Sequence, residues 1–253
     1  MIYNAGTGHI GGSMSCMEIL VCLYYEIMDI EKIREGLKER DRFILSKGHC
    51  AEALYSVLAD LDFISKDSLG TFAGFDTMLA EHPIRKTPGV EVSTGSLGHG
   101  LSIGTGMAVG LKYDKSPAEV YVLAGDGEQA EGSNWEAAMS AGKYKLDNLI
   151  LFIDRNRLQI SGSTEDVMPL EDLAGKYRAF GWECRVCDGH DPESIIKASS
   201  NRLKDKPLVI IAETTKGYGS PVMENKAQWH HRIPNDAEYL RIKADLTAVV
   251  GAL

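Results

Sequence analysis

A chain of 253 residues, 44% hydrophobic and 25% charged, is long enough to bury the core of an α/β domain. A formal net charge of −9 argues against a nucleic-acid backbone or an anionic membrane as partner. The longest apolar run, ILVCLYY at 19–25, is far short of the ~20 residues needed to cross a bilayer, and no signal-peptide pattern opens the chain. Five scattered cysteines, Cys16, Cys22, Cys50, Cys184 and Cys187, suit the reduced thiols of a cytoplasm.

In chain order, SCMEILVCLYYEIM (15–28) opens with Ser15 and Glu18 in capping-box spacing and predicts a helix with a wide apolar face. HGLSIGTGMAVGLKYD (99–114) predicts a small-residue helix packed closely on its neighbours. Four apolar runs predict central strands buried on both faces: EVYVLA (119–124), NLILFID (148–154), WECRVCD (182–188) and PLVIIAETT (207–215). Helices are expected between them at 133–145, with Ser133 and Glu136 as a second capping box, at 169–181 after Pro169, and at 191–205. A polar amphipathic helix, 236–250, follows. This alternation predicts right-handed crossovers and an α/β fold with an open, mainly parallel sheet flanked by helices on both faces. The pair Cys184-x-x-Cys187 lies inside a strand and cannot make a four-ligand zinc site alone, so both read as core cysteines.

Ligands of an open parallel sheet bind at the carboxyl ends of its strands. Two such ends carry distinctive residues. Gly125-Asp126-Gly127 ends one strand, and Asn156, thirty residues beyond Asp126, follows the next. Adjacent parallel strands would bring them together. A carboxylate, a carboxamide and a nearby carbonyl are hard oxygen ligands suited to Mg²⁺, which often shares its shell with phosphates. A bare GDG is explained equally well by a tight turn; the pairing with Asn156 makes the pattern specific.

GDGEQAEG…DRNRLQISG resembles the thiamine-diphosphate motif of transketolases and related enzymes. GTGHIGGSMSCMEIL is similar to that family's N-terminal GHPGG segment, with Ile10 in place of proline and Gly12 where some members have serine. DRFILSKGHCAEALY, EHPIRKTPGVEVSTGSLGHGLSIGTGMA and AETTKGYGSPVMENKAQWHHRIPND resemble further family segments, in family order over nearly the whole chain. The resemblance implies one thiamine-diphosphate-binding domain over 1–253, of the type that holds the diphosphate. Asp126, Asn156 and the carbonyl of Leu158 would hold Mg²⁺, with Ca²⁺ or Mn²⁺ as substitutes. Lys47, His49, Gly127 and Lys216 would lie at the diphosphate, and Gly95, Ser96 and Leu97 would line the aminopyrimidine. His9, His82 and His230 would face the reacting carbon and the sugar hydroxyls; alignment on Trp229 selects His230 over His231. Glu131 would lie at a subunit contact beside the cofactor, while His99 and His190 read as structural.

The implied activity is transfer of a two-carbon ketol unit from a ketose, such as a sugar phosphate, to an aldose. The family's activating glutamate belongs to a pyrimidine-binding domain that has no counterpart here. The expected partner is therefore a separate C-terminal transketolase subunit in an α₂β₂ assembly, with neither nucleic acid nor membrane involved. Three other readings remain at this point: the corresponding subunit of a 2-oxoacid dehydrogenase, part of a deoxyxylulose-phosphate synthase, and a non-catalytic cofactor-binding subunit. SKGH and VSTGSLGHG speak against the first, and the histidine set against the last. Met1–Asn4 reads as the end of a helix, with the natural chain expected to begin upstream or this region to be poorly anchored.

Overall fold

A computed structural model describes residues 1–250. Its centre is a five-stranded parallel sheet in the order β1-β2-β3-β5-β4: β1 (Arg42–Leu45), β2 (Val120–Gly125), β3 (Leu149–Arg155), β4 (Glu183–Asp188) and β5 (Leu208–Glu213). The three inner strands are buried almost throughout, which is why they read as continuous apolar runs. WECRVCD was expected to be a central strand as well, but β4 is an edge. Its free side leaves Val186 57% exposed, and Glu183 pairs with Arg185 along the strand. β1, only four residues long, forms the opposite edge and was not distinguished as a strand from sequence.

Alternation along the strands divides the core in two. Phe43, Leu123, Phe152 and Ile210 pack against the helices Met17–Cys22, Ala51–Asp60 and Pro192–Ser199. Ile44, Val122, Ile153 and Ile211 pack against Gly100–Tyr113, Gly132–Lys143 and Leu173–Ala179. Cys187 belongs to the first core and Cys184 packs on the second, since residues three apart on a strand face opposite ways. The pair cannot converge on a metal. Close packing of the 100–113 helix on β2 rests on Gly104, where a Cβ would lie 2.6 Å from Val122 Cγ2.

Both expected capping boxes give way to tertiary bonds. Ser15 ends the helix Ile10–Ser15, and its Oγ donates to Asp154 Oδ2 at 2.5 Å. The helix after it, Met17–Cys22, runs into a π turn over Leu23–Ile27. Ser133 Oγ donates to Gly98 O at 2.7 Å, and Glu131 occupies the cap position. The expected 169–181 and 191–205 helices shorten to Leu173–Ala179 and Pro192–Ser199, capped by Asp172 and Asp191. The final helix, Asp236–Val250, spans the predicted range. Ile2–Ala5 is helical and well held: Tyr3 stacks on Tyr239 at 4.1 Å, and its hydroxyl donates to Asp236 at 2.7 Å. Among the described residues no helix is long and apolar enough to cross a membrane.

Candidate active site

The parallel register sets Gly125 opposite Asp154, so Asp126 leaves β2 beside the end of β3. Asp126 is 2% exposed. Its Oδ1 accepts from Gly127 N at 2.7 Å, and its Oδ2 accepts from Arg157 N at 2.6 Å and Arg155 Nη1 at 3.1 Å. Burial, and secondarily the charge of Asp154, hold the Asp126 carboxyl above the ordinary range. Asn156 Oδ1 accepts from Leu158 N at 3.1 Å, while its Nδ2 donates to Asp154 Oδ2 and Ser15 Oγ, both at 3.2 Å. Leu158 starts a short hairpin, Leu158–Gln159 with Gly162–Ser163, and its carbonyl accepts from Lys216 Nζ at 3.3 Å. Gly127 allows the hairpin close: a Cβ there would lie 3.0 Å from Gln159 Oε1.

Two buried lysines serve this end differently. Lys47 Nζ pairs with Asp154 and donates to Gly12 O at 3.2 Å. Burial alone would lower the Lys47 pKa, but the Asp154 carboxylate outweighs it and holds the ammonium well above its usual value. Asp154 also accepts from Ser15, Thr214 and Asn156, so this fully buried charge is surrounded by donors. Lys216 is equally buried, yet among the described residues no carboxylate pairs with it. It donates to Leu158 O and to His230 Nδ1, the latter at 3.0 Å, and burial followed by the charge of Lys47 lowers its pKa. A buried cation with only neutral partners is a place for an anion.

Beyond Lys216 lie five imidazoles. His9 has ring centroids of His49, His82, His230 and His231 at 5.4, 5.8, 5.6 and 4.6 Å, and His49 stacks on His230 at 5.1 Å. His82 packs against Gly95, where φ is +143° and a Cβ would sit 3.0 Å from the ring. Burial, then the neighbouring His49, pushes the His9 pKa down to about 4; burial, then Lys216, pushes His230 down to about 3. His82 is lowered chiefly by burial. These rings are therefore neutral at pH 7, each with one N–H donor and one lone pair. The Lys216 ammonium can only donate, so His230 Nδ1 accepts and carries its proton on Nε2. His231, exposed at the rim, stands closer to His9 than His230 does.

Sequence reasoning missed three carboxylates that build the site. Asp154 anchors Lys47. Glu52 accepts from His9 N at 2.8 Å and Ser13 Oγ at 3.0 Å, and burial raises its pKa to about 7. Glu128 accepts from Ser46 Oγ, from Gly98 N at 2.7 Å and from Gly125 N at 3.0 Å, tying three loops together. Only Glu128, inside GDGEQ, had a local signal. Of the remaining predicted residues, Ser96 and Glu131 are exposed and Leu97 is half-buried; the Glu131 stem covers Gly98, where a Cβ would lie 2.4 Å from Glu131 Cβ. His190 is structural: Nδ1 bonds Glu18 at 3.2 Å, Nε2 accepts from Thr215 N at 2.8 Å, and the ring stacks on Tyr218 at 3.6 Å. His99 is exposed.

The chain is 48% identical over 241 residues to one of the subunits of the apulose-4-phosphate transketolase of Phocaeicola vulgatus, covering 94% of this chain and 86% of that one. It is 44% identical over 233 residues to a 6-deoxy-6-sulfo-D-fructose transketolase subunit of a Clostridium species, covering 91% and 85%. The solved transketolase of Campylobacter jejuni superposes with a TM-score of 0.88 at 29% identity, over 97% of this chain and 40% of that one. The Pichia stipitis transketolase complexed with sedoheptulose-7-phosphate gives 0.86 at 29% identity, over 97% and 38%. The chain thus spans about 40% of the length of those solved enzymes. Residues 1–247 match the family described as "Transketolase, thiamine diphosphate binding domain". The chain belongs to the transketolase family and carries its thiamine-diphosphate-binding domain.

Proposed function

We propose that this chain is the diphosphate- and metal-binding subunit of a two-chain transketolase, which moves a two-carbon ketol unit from a ketose, such as a sugar phosphate, to an aldose. Its partner is a separate subunit carrying the pyrimidine-binding domain, and two of each form an α₂β₂ assembly with closed two-fold symmetry. One observation carries the reading. Lys216 touches both Leu158 O, in the oxygen-ligand end, and His230, in the imidazole cluster, making one continuous site. The residues fit the implied groups. Asp126, Asn156 and the Leu158 carbonyl are a hard-oxygen set suited to Mg²⁺, and the carbonyl already receives a cationic group from Lys216. Lys216, lacking a counterion among the described residues, suits the diphosphate.

Thiamine diphosphate, when bound, supplies the carbanion chemistry. This chain's residues bind, orient and handle protons. Lys47 is committed to Asp154 and keeps the strand ends in place rather than offering a free ammonium. Glu128 fixes the Gly98 and Gly125 backbones, and Glu52 fixes the His9 backbone. His9 and His82, neutral in the free protein, can each donate to a sugar oxygen or accept from a hydroxyl without a prior change of charge, while His230, whose Nδ1 is taken by Lys216, can donate from Nε2. The relatives' names differ in their sugars, apulose-4-phosphate in one and 6-deoxy-6-sulfo-D-fructose in the other. A cytoplasmic setting is supported by the five cysteines, all free thiols.

The test is a ketol-transfer assay of this chain alone, of the partner alone and of the two mixed, with cofactor affinity measured in parallel by calorimetry. Activity is expected only in the mixture. Asp126→Ala should abolish Mg²⁺-dependent cofactor binding with the fold intact, and His230→Asn should lower kcat about 10²–10⁴-fold while cofactor affinity changes little. Full activity of the isolated chain would refute the two-chain reading, and unchanged affinity in Asp126→Ala would refute the metal assignment.

A further inference from the structure

The imidazole cluster has an outer edge at which His9 is the one residue assigned to the proposed reaction. Thr7 and His9 come from the first loop, Glu81 from the EHPIR segment and His231 from the closing segment, and these three stretches converge at the rim. Glu81 Oε2 lies 3.5 Å from His231 Nε2. Thr7 Oγ1 donates to Glu81 Oε1 at 2.9 Å and lies 3.4 Å from His231 Nε2, which holds the carboxylate toward the ring. One ligand atom from each of His9, Glu81 and His231 falls within 4.8 Å of the others. His9 Nδ1 is buried and has no hydrogen-bond partner.

We propose that His9, Glu81 and His231 form a binding site for one divalent cation of the zinc class, separate from the oxygen site at Asp126. Metal–nitrogen and metal–oxygen bonds of about 2.0–2.2 Å in tetrahedral geometry place neighbouring ligand atoms about 3.4 Å apart. The Glu81–His231 edge already has that spacing. Bringing His9 in needs a contraction of up to about 1.4 Å at the other two edges, and His231, 42% exposed in its side chain, can turn without disturbing the core. Two imidazoles and a carboxylate with a fourth position open are a zinc-type donor set. Imidazole favours zinc, copper and nickel over magnesium or calcium, so the two sites select different ions. A simple Glu81–His231 ion pair would account for two of the three groups. At 32% and 42% side-chain exposure it would be worth little, and it gives no partner to His9. A cation bound here would tie up His9, so the site is inhibitory in kind, closing the imidazole cluster to a sugar.

The test uses the purified 253-residue chain in excess Mg²⁺, titrated with Zn²⁺ by calorimetry and with Co²⁺ by visible absorption. One equivalent of Zn²⁺ is expected, with Co²⁺ giving the intense bands of a tetrahedral site. His231→Ala and Glu81→Gln should each weaken binding at least tenfold, whereas His99→Ala, an exposed histidine elsewhere, should leave it unchanged. Thermal melts establish that all three variants are folded. Absence of a stoichiometric Zn²⁺ site, or binding that survives both His231→Ala and Glu81→Gln, overturns the proposal. Neither readout depends on ketol transfer, so its failure is distinct from failure of the two-chain reading.

Discussion

The two ends of the site are built on opposite principles. At the strand ends, buried charges are matched within the chain: Lys47 with Asp154, Arg155 with Asp126, and the remaining carboxylate oxygens with backbone N–H groups. Of the buried cations there, Lys216 alone lacks a counterion among the described residues. At the imidazole end, five rings crowd together with few protein partners, and His9 Nδ1 has none. The first region spends its hydrogen-bonding capacity on its own geometry and leaves one cation for an anionic ligand. The second leaves donors and acceptors free for a ligand rich in hydroxyls. Anchoring and reactivity thus occupy adjacent but differently satisfied polar networks, joined at Lys216.

The sharpest way to break this contrast is to remove one member of the Lys47–Asp154 pair. Lys47→Met should destabilise the chain by ~3–5 kcal/mol, because it strands a carboxylate that is fully buried. Urea unfolding at pH 7 measures it. The double variant Lys47→Met/Asp154→Asn should lose much less than the sum of the two single changes. A single-variant loss under ~1 kcal/mol would mean that the strand ends are not held by this pair.

Glu52 lies under the imidazole end and behaves differently, as a carboxylate without a cationic partner. Its pKa rises from 4.5 to about 7 on folding. A raised folded value means that its contribution to stability is complete below pH 4.5 and is lost as pH rises through 7. Glu52→Gln should therefore be more stable than wild type by up to ~3 kcal/mol at pH 8, and the gap should close by about pH 4.5. Denaturant midpoints across pH 4–8 read this directly. A pH-independent difference between the two proteins would show that burial is not what shifts this group.

These contrasts also explain what the sequence could disclose. β2, β3 and β5 were legible because strands covered on both faces are apolar without interruption; β4 misled because its WECRVCD run is equally apolar in part but lies at an edge. Asp126 and Asn156 were legible because each closes a strand within a short, distinctive pattern. Asp154 was hidden near the end of an apolar strand, with its partners Lys47 and Thr214 107 and 60 residues away in sequence. Ser15 and Ser133 have ideal capping-box spacing, yet their hydroxyls serve Asp154 and Gly98, because a buried acceptor outcompetes a cap when the fold brings it near. Local spacing registers competition within a turn and cannot register a partner delivered by topology.

A smaller effect lies at the junction of the two regions. Glu18, His190 and the Thr215 backbone hold the loop that carries Lys216. His190→Ala should cost ~1–2 kcal/mol in thermal unfolding, the range for a lost buried hydrogen bond. It should also weaken cofactor binding in the assembled enzyme, since Lys216 would lose its fixed position. Loss of stability with unchanged affinity would show that the clamp is purely structural.

The smallest change at neutral pH should come from the imidazoles themselves. His230 is neutral at pH 7 and makes one hydrogen bond to Lys216, so His230→Asn should alter stability by less than ~1 kcal/mol there. Acid separates the two proteins. With the folded pKa pushed down to about 3, the contribution of His230 is intact above pH 6.5 and is lost as pH falls toward 3. At pH 5 the unfolded chain has taken up a proton that the folded chain has not, which costs wild type ~1–2 kcal/mol after allowance for the ring's partial exposure. The Asn variant has no such proton to take up and should resist acid better than wild type, as denaturant midpoints at pH 5 and 7 would reveal. If wild type and variant instead weaken in parallel, His230 is not the neutral, desolvated ring described above, and the imidazole end is held together as firmly as the strand ends.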